Sequence, residues 1–347
     1  MNRDLAKFAF KQLIKLAEAR SGQAGKRAPQ VSAPRPRMAA PPRPPAPVST
    51  VRKYAEFVKL SHTVFALPFA LASMALAARQ TRGWPGWRLF TLILMAMVMA
   101  RTCAMAFNRI MDRKFDRANP RTAMRHLPTG QISLAGAWGL CAGGAACFLA
   151  TTYFINPLCF YLAPVALLVV CFYSLTKRFT DFTHVYLGVA LALAPIGAWL
   201  AVKGSFHFWP MQQSAILPLL LGLAVVLWLI GFDIIYAIQD YEFDRTHGLH
   251  SVVVRWGVQN ALGIAFMAHL GMWGILAAFG FLAGFRLPFM IGMFIILASL
   301  VLEHWLARKR SLRWIDVAFF RLNAFISVVF LVVVLAEVIF PRFTLLR

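Results

Sequence analysis

Acidic side chains are what this chain has least of: 13 Asp and Glu among 347 residues, against 36 Lys and Arg. Charged residues of both signs make up only 14% of it, and 60% is hydrophobic. So little charge argues against an ordinary soluble domain. Cysteine is scarce as well. The five, Cys103, Cys141, Cys147, Cys159 and Cys171, show no CxxC spacing and all fall in apolar runs. That excludes a disulfide frame or a thiolate metal site and leaves them as small buried hydrophobes.

What the chain does have is apolar stretches near the ~20 residues that cross a bilayer. They cover roughly residues 57–79, 86–107, 134–153, 157–175, 184–202, 214–233, 262–283, 287–306 and 318–340. Each must be helical, because an open strand edge leaves backbone groups unsatisfied in lipid. The expected fold is all-α and integral to a membrane, with nine spans. Ahead of it lie two other segments. Residues 1–27 are basic, with Leu5, Phe8, Leu13 and Leu16 near one helical face. This segment suits an anionic membrane surface and is too polar for a secretory signal. Residues 28–50 are proline-rich and read as an extended, disordered linker. The membrane domain is residues 51–347.

The net charge of +23 has two readings. Nucleic acid is one. The other is the positive-inside bias of cytoplasmic loops. The basic residues crowd the N-terminal segment and the connections 108–133, 177–183, 234–260 and 307–317. The opposite loops hold only Arg79, Arg82, Arg88, Lys203 and Arg286. Alternation of that kind points to a bilayer partner and no nucleic acid. It places the N-terminus and the basic loops in the cytoplasm of a bacterial-type cell membrane.

The rare acids gather in two of those loops. In "NRIMDRKFDRANPRTAMRHLPTG", Asn108, Asp112 and Asp116 are spaced i, i+4, i+8 and stack on one helical face. Two carboxylates ~6 Å apart repel by roughly 3 kcal/mol at an effective dielectric of 20, so something must offset them. Neighbouring arginines could do so as plain salt bridges. The second stretch, "DIIYAIQDYEFDRTHGLHS", repeats the design with Asp233, Tyr236, Asp240 and Asp244. Acids at membrane depth mark functional sites by default. Hard oxygen ligands suit Mg²⁺, held by a few carboxylates together with substrate phosphates and waters. Arg113, Arg117, Arg121, Arg125, Lys177 and Arg178 suit phosphate oxygens. Two facing carboxylate clusters could then hold metal on a diphosphate.

These stretches resemble known motifs. Asn108-x3-Asp112-x3-Asp116 followed by "NPRT" at Asn119–Thr122 resembles the first signature of the UbiA superfamily of intramembrane aromatic prenyltransferases. Asp233-x2-Tyr236-x3-Asp240-x3-Asp244 resembles the second, and "YSLTKR" at Tyr173–Arg178 resembles the loop between them. The likeness spans about residues 51–340. It implies nine helices around a central cavity, with the acidic motifs under cytoplasmic cap loops. It also implies Mg²⁺-dependent transfer of a polyprenyl group from polyprenyl diphosphate to an aromatic hydroxy-carboxylate. By the same likeness Asp112, Asp116, Asp240 and Asp244 hold metal, and Arg113 lies near the acceptor. Asn108, Arg121, Lys177, Arg178, Tyr236 and Asp233 bind substrate. 4-Hydroxybenzoate is the leading acceptor. The first span reads "SHTVFALPF" where ubiquinone-type enzymes carry a "KPIG"-like element, which keeps 1,4-dihydroxy-6-naphthoate of futalosine-type menaquinone synthesis open.

Two rival classes fit less well. A CDP-alcohol phosphotransferase needs a "DG-x2-AR-x8-G-x3-D-x3-D" run, which is absent. An ion transporter would spread its acids through the spans instead of gathering them at two helix ends. Elsewhere, His62 and His184 read as helix–helix hydrogen bonders or caps, His247 and His250 as polar loop residues within reach of a diphosphate. Glu303 and Asp316 are expected to pair with Arg308–Arg313.

Overall fold

A computed structural model describes residues 50–58, 65–308 and 317–340. The expectations for residues 1–49, His62 and Asp316 lie outside that set. Among the described residues there is no strand. Twelve α-helices follow in order: α1 Thr50–Phe57, α2 Ala66–Ala77, α3 Trp87–Met111, α4 Arg113–Ala118, α5 Leu134–Ile155, α6 Pro157–Thr176, α7 Thr183–Lys203, α8 Ile216–Ala237, α9 Tyr241–Thr246, α10 Val252–Leu282, α11 Leu287–Ala307 and α12 Asn323–Ile339. Eight of the apolar segments are long enough to cross a membrane, and α2 is a ninth, shorter apolar helix. The described segments thus match the nine expected spans. The main departure is α10. It starts at Val252, ten residues before the expected 262, and breaks at Gly257 with φ 74° and ψ 162°. A side chain there would be strained, so glycine permits the bend.

The ends of these helices follow local chemistry. Ser133 and Asn156 cap α5 and α6 by accepting from Gly136 and Cys159 N–H groups. Pro157 sits at the first turn of α6, where its missing N–H costs nothing. Gly204 ends α7 in the left-handed region.

α8 is central. It packs against α7 on one side and α10 on the other, while α2 bridges α7 and α12. The main core is aromatic and sits there. Phe69 stacks on Phe330 at 4.9 Å between ring centroids, and Trp228 meets Phe69 and Phe232 at the same distance. α3 and α5 form a second close pair. At Gly144 an added Cβ would lie 2.9 Å from the Cys103 amide nitrogen and 3.1 Å from the Met99 carbonyl oxygen. Backbone this close cannot yield as a side chain would, and small residues let membrane helices approach in this way. Gly144→Ala is therefore expected to push α3 off α5 and lower the thermal midpoint in detergent, since overpacking costs about 1–3 kcal/mol. Gly143→Ala, with nothing within 4 Å of its added Cβ, is the matched control.

Two expectations need correction. Glu303 does not stand at a membrane edge. It is fully buried, and its carboxylate accepts from Asn323 Nδ2 at 2.8 Å, while Asn323 Oδ1 accepts from Trp228 Nε1 at 2.7 Å. The partner of Glu303 is a polar chain inside the core and not a cation at the membrane edge. Cys147 is exposed, and Cys171 is half-buried; only Cys103, Cys141 and Cys159 are buried, and all five are free. In a bilayer an apolar outer face is as suitable for a thiol as a core.

Candidate active site

α3, α6 and α8 end, and α7 begins, at one end of the bundle, and the two acidic stretches meet there. Neither stretch is a single helix. α3 stops at Met111, Asp112 caps it with φ −83° and ψ 2°, and α4 starts at Arg113. The Asp116 N–H still bonds to the Asp112 carbonyl at 2.7 Å, so the i, i+4 stacking survives the break. On the other side α8 stops at Ala237, a 3₁₀ turn covers Ile238–Asp240, and α9 carries Asp244. The tighter turn swings Asp240 and Asp244 inward, and both are buried.

The segment Asn119–Thr122 ties the two stretches together. The Arg121 N–H donates to Asn119 Oδ1 at 2.9 Å, and Thr122 Oγ1 donates to the Asp116 carbonyl at 3.1 Å. That turn lets Asn119 Nδ2 and Arg121 Nε reach Asp240 Oδ1 at 3.0 and 2.8 Å, with a second guanidinium nitrogen on Oδ2. The third, Nη1, donates to the Tyr236 hydroxyl at 2.8 Å, and the guanidinium lies 5.2 Å from that ring's centre. A rigid planar fork makes all of these at once.

Besides Asp240 with Arg121, three of the motif aspartates have a cation. Asp116 meets Arg125 at 2.7 Å and Arg109 at 3.8 Å, Asp244 meets Lys177 at 3.2 Å, and Asp112 meets Arg178 at 3.9 Å. Asp112 also accepts from Asn108 Nδ2 at 3.0 Å. Burial by itself would lower the Lys177 ammonium, yet Asp244, Asp240 and Asp233 outweigh it and raise it. Lys177 is thus a firm cation. Asp112 goes the other way. Burial, then the neighbouring Asp116, push it up to about 6, against the pull of Lys177 and Arg178. In the metal-free chain the folded state therefore holds that proton more tightly than the unfolded chain does. Stability is lost as pH rises through about 6, where a second charge joins Asp116. A divalent cation removes that repulsion only when the carboxylate is ionised. If Asp112 is a metal ligand, thermal stabilisation by added Mg²⁺ is expected to be full at pH 7.5 and to fade as pH falls below about 6. Asp112→Asn should abolish this pH dependence.

The side chains enclose a cavity of about 200 Å³. Asp112, Asp116, Asp240 and Asp244 line it, as do Asn108, Arg121, Lys177, Arg178, Tyr236 and Asp233. Arg113 does not; it is half-buried at the start of α4 and outside the lining. His247 and His250 also stand outside it. His250 pairs with Asp181 at 3.0 Å, and His247 stacks on Phe243 at 4.0 Å. The polar lining residues missed as site residues are Asn119, Thr122, Tyr173, Ser174, Thr183 and His184. Asn119, Thr122, Tyr173 and Ser174 sit inside the quoted motifs, so the signal was present. Thr183 and His184 carried none, because only packing shows which face of a helix end looks into a cavity.

Comparison with known proteins agrees with this arrangement. Residues 66–329 match the UbiA prenyltransferase family. A 4-hydroxybenzoate octaprenyltransferase of Alcanivorax borkumensis is 30% identical over 232 residues, 67% of this chain and 77% of that protein. Another, from Cupriavidus metallidurans, is 27% identical over 267 residues, 77% of this chain and 88% of that protein. The apo structure of a UbiA homolog from Aeropyrum pernix K1 aligns with a TM-score of 0.71 at 30% identity, covering 80% of this chain and 98% of that one. A UbiA homolog from Archaeoglobus fulgidus, bound to DMAPP and Mg²⁺, shares the fold with a TM-score of 0.62 at 22% identity, over 81% of this chain and 99% of that one. Because the family match runs through both aspartate stretches and the long helices that carry them, the chain belongs to the UbiA prenyltransferase family and is an integral membrane prenyltransferase.

Proposed function

We propose that this enzyme transfers a polyprenyl group from a polyprenyl diphosphate to an aromatic hydroxy-carboxylate, with 4-hydroxybenzoate as the leading acceptor, in respiratory quinone biosynthesis. One observation carries the reading. Four aspartates from two separate stretches, with Lys177, Arg178 and Arg121, line a single cavity at one end of an apolar bundle. A diphosphate needs that mixture, and its isoprenoid tail needs the lipid-facing helices beside it. Relatives named as 4-hydroxybenzoate octaprenyltransferases support the acceptor.

The donor set fits Mg²⁺. Asp116 Oδ2 is buried without a hydrogen-bond partner, an oxygen that a hard cation would satisfy. Among the described residues no three His, Cys, Asp or Glu side chains already converge as a metal nest. That suits an ion whose shell is completed by substrate phosphates and water. Asp112 and Asp116 would hold it from one side, Asp240 and Asp244 from the other. When bound, Mg²⁺ supplies the charge that makes the diphosphate a leaving group. The chain's own part is then clear. Lys177, Arg178 and Arg121 stabilise charge on the departing oxygens. Asn108 and Tyr236 orient the carboxylate and guanidinium they touch. The apolar helices exclude water from the allylic cation, which the electron-rich ring attacks. Arg113 has no place in this scheme, since it lies outside the cavity lining.

Purified protein in detergent should form prenylated 4-hydroxybenzoate from prenyl diphosphate and Mg²⁺, detected by mass spectrometry. Product with 1,4-dihydroxy-6-naphthoate alone would move the assignment to that acceptor. No product with either would overturn the reading. The basic loops are proposed to face the cytoplasm. Cysteines placed at Gln131 and Thr180, in a background without the native five, are expected to label from the cytoplasmic side. Labelling from opposite sides would break the shared site.

A further inference from the structure

Deep to the diphosphate-binding residues, the cavity wall holds a pair the scheme above does not use. His184 is the second residue of α7, and its side chain is 1% exposed. Its Nδ1 lies 2.6 Å from Asp233 Oδ2 on α8. A carboxylate only accepts, so Nδ1 carries a hydrogen, and in the neutral imidazole Nε2 is then the nitrogen with the lone pair. That Nε2 is buried and has no hydrogen-bond partner. Buried polar atoms are satisfied as a rule, so an orphan calls for an explanation. Both residues line the cavity. Asp233 precedes Asp240 by seven residues, about 10 Å toward the membrane interior at a helical rise of 1.5 Å per residue. On the prenyl-transfer reading, the pair therefore lies below the carboxylates assigned to the diphosphate, on the side where the reacting carbon and the acceptor ring would meet.

The framework holds it rigidly. Gly188, one turn after His184, brings α7 against α8. An added Cβ there would lie 3.0 Å from both Val226 Cα and the Val226 carbonyl oxygen. Val226 is two turns before Asp233, on the same side of α8. The start of α7 is pinned by the Thr176–Thr183 hydroxyl bond at 2.8 Å. Lys177 is the nearby cation and is already committed to Asp244.

Resting on the prenyl-transfer reading, we propose that His184, oriented by Asp233, is the base that removes the ring proton. The bond from the allylic carbon to the diphosphate oxygen breaks, and its electron pair leaves with the diphosphate. A ring carbon bonds to that allylic carbon and for a moment bears both the prenyl group and a hydrogen. His184 Nε2 takes the hydrogen as a proton, and the C–H pair restores the aromatic ring. Asp233 stabilises the imidazolium through Nδ1–H, and the proton passes to water as products leave. In a water-excluded cavity a fixed base is worth about 10²–10⁴-fold.

The test uses the full chain in detergent with prenyl diphosphate, Mg²⁺ and acceptor deuterated at the ring position that is substituted. The wild type should show no isotope effect, because proton loss is fast. His184→Asn keeps a donor near Asp233 but removes the base. It is expected to lower kcat by about 100-fold, leave both KM values and Mg²⁺-dependent prenyl diphosphate binding unchanged, and reveal a primary isotope effect. If that variant does not purify folded, Asp233→Asn, which keeps the imidazole, is read for the same isotope effect. Wild-type kcat in His184→Asn overturns the proposal, and so does a loss with no isotope effect and with diphosphate binding gone. Failure of the wild type to turn over any acceptor overturns the underlying reading, and the proposal with it.

Discussion

Asp112→Asn and Asp240→Asn should each cut turnover by at least about 100-fold, roughly 2.7 kcal/mol in the barrier, with expression and folding near normal. The reason is the pairing of the two stretches. If Asp112 only balanced its neighbours, losing its charge would cost little. It is half-buried, and its contact with Arg178 is long, at 3.9 Å; such pairs are worth about 0–1 kcal/mol. Asn can still accept from Asn108, and at 240 it can still accept from Arg121 and Asn119 through its amide oxygen. What neither variant keeps is the negative charge that a divalent cation needs. The double variant should be far less than additive if both residues serve one metal–diphosphate cluster, as proposed. Glu242 is exposed and outside the cavity lining, so Glu242→Gln should be mild. Near-full Mg²⁺-dependent activity in Asp112→Asn would falsify the metal role of the first stretch.

Arg121→Lys should be nearly as damaging, with a loss of about 100-fold or more in kcat. Charge is preserved, so a role that needs only charge predicts little change. The guanidinium, however, reaches both oxygens of Asp240 and the Tyr236 hydroxyl together. A lysine ammonium is one point and cannot span them. Burial alone would weaken its charge, but its bond to Asp240 and the field of Tyr236 raise it far above any working pH. Arg121 therefore stays a cation throughout. Steady-state kinetics on Arg121→Lys and Tyr236→Phe separate its two ends. Loss confined to Arg121→Lys assigns the effect to Asp240 and the diphosphate. Equal loss in both assigns it to the Tyr236 contact. Wild-type kcat in Arg121→Lys would mean that the fork geometry is irrelevant.

The number of apolar spans, most of their positions and the paired spacing of the four aspartates were legible from residue order alone. Burial in lipid demands long apolar helices, and the chain has so few acids that their spacing stands out. The α10 boundary was not legible, because Val252–Gly257 is amphipathic and only Gly257 lets the chain bend there. Glu303 was misplaced for a related reason. Its neighbours in sequence are basic, but its partner, Asn323, is 20 residues away on another helix.

Sequence by itself determined that Asp112, Asp116, Asp240 and Asp244 come in two matched pairs, since helical periodicity is local and a spacing of four survives even the breaks at Asp112 and Ile238. Only the tertiary structure decided which cations answer them and which residues face the cavity. Arg121 reaches Asp240 across 119 residues and His184 reaches Asp233 across 49. Arg113, beside Asp112 in the chain, falls outside the cavity lining. Such pairings depend on where two helix ends meet after packing, as Gly188 against Val226 illustrates, and no local pattern encodes that meeting.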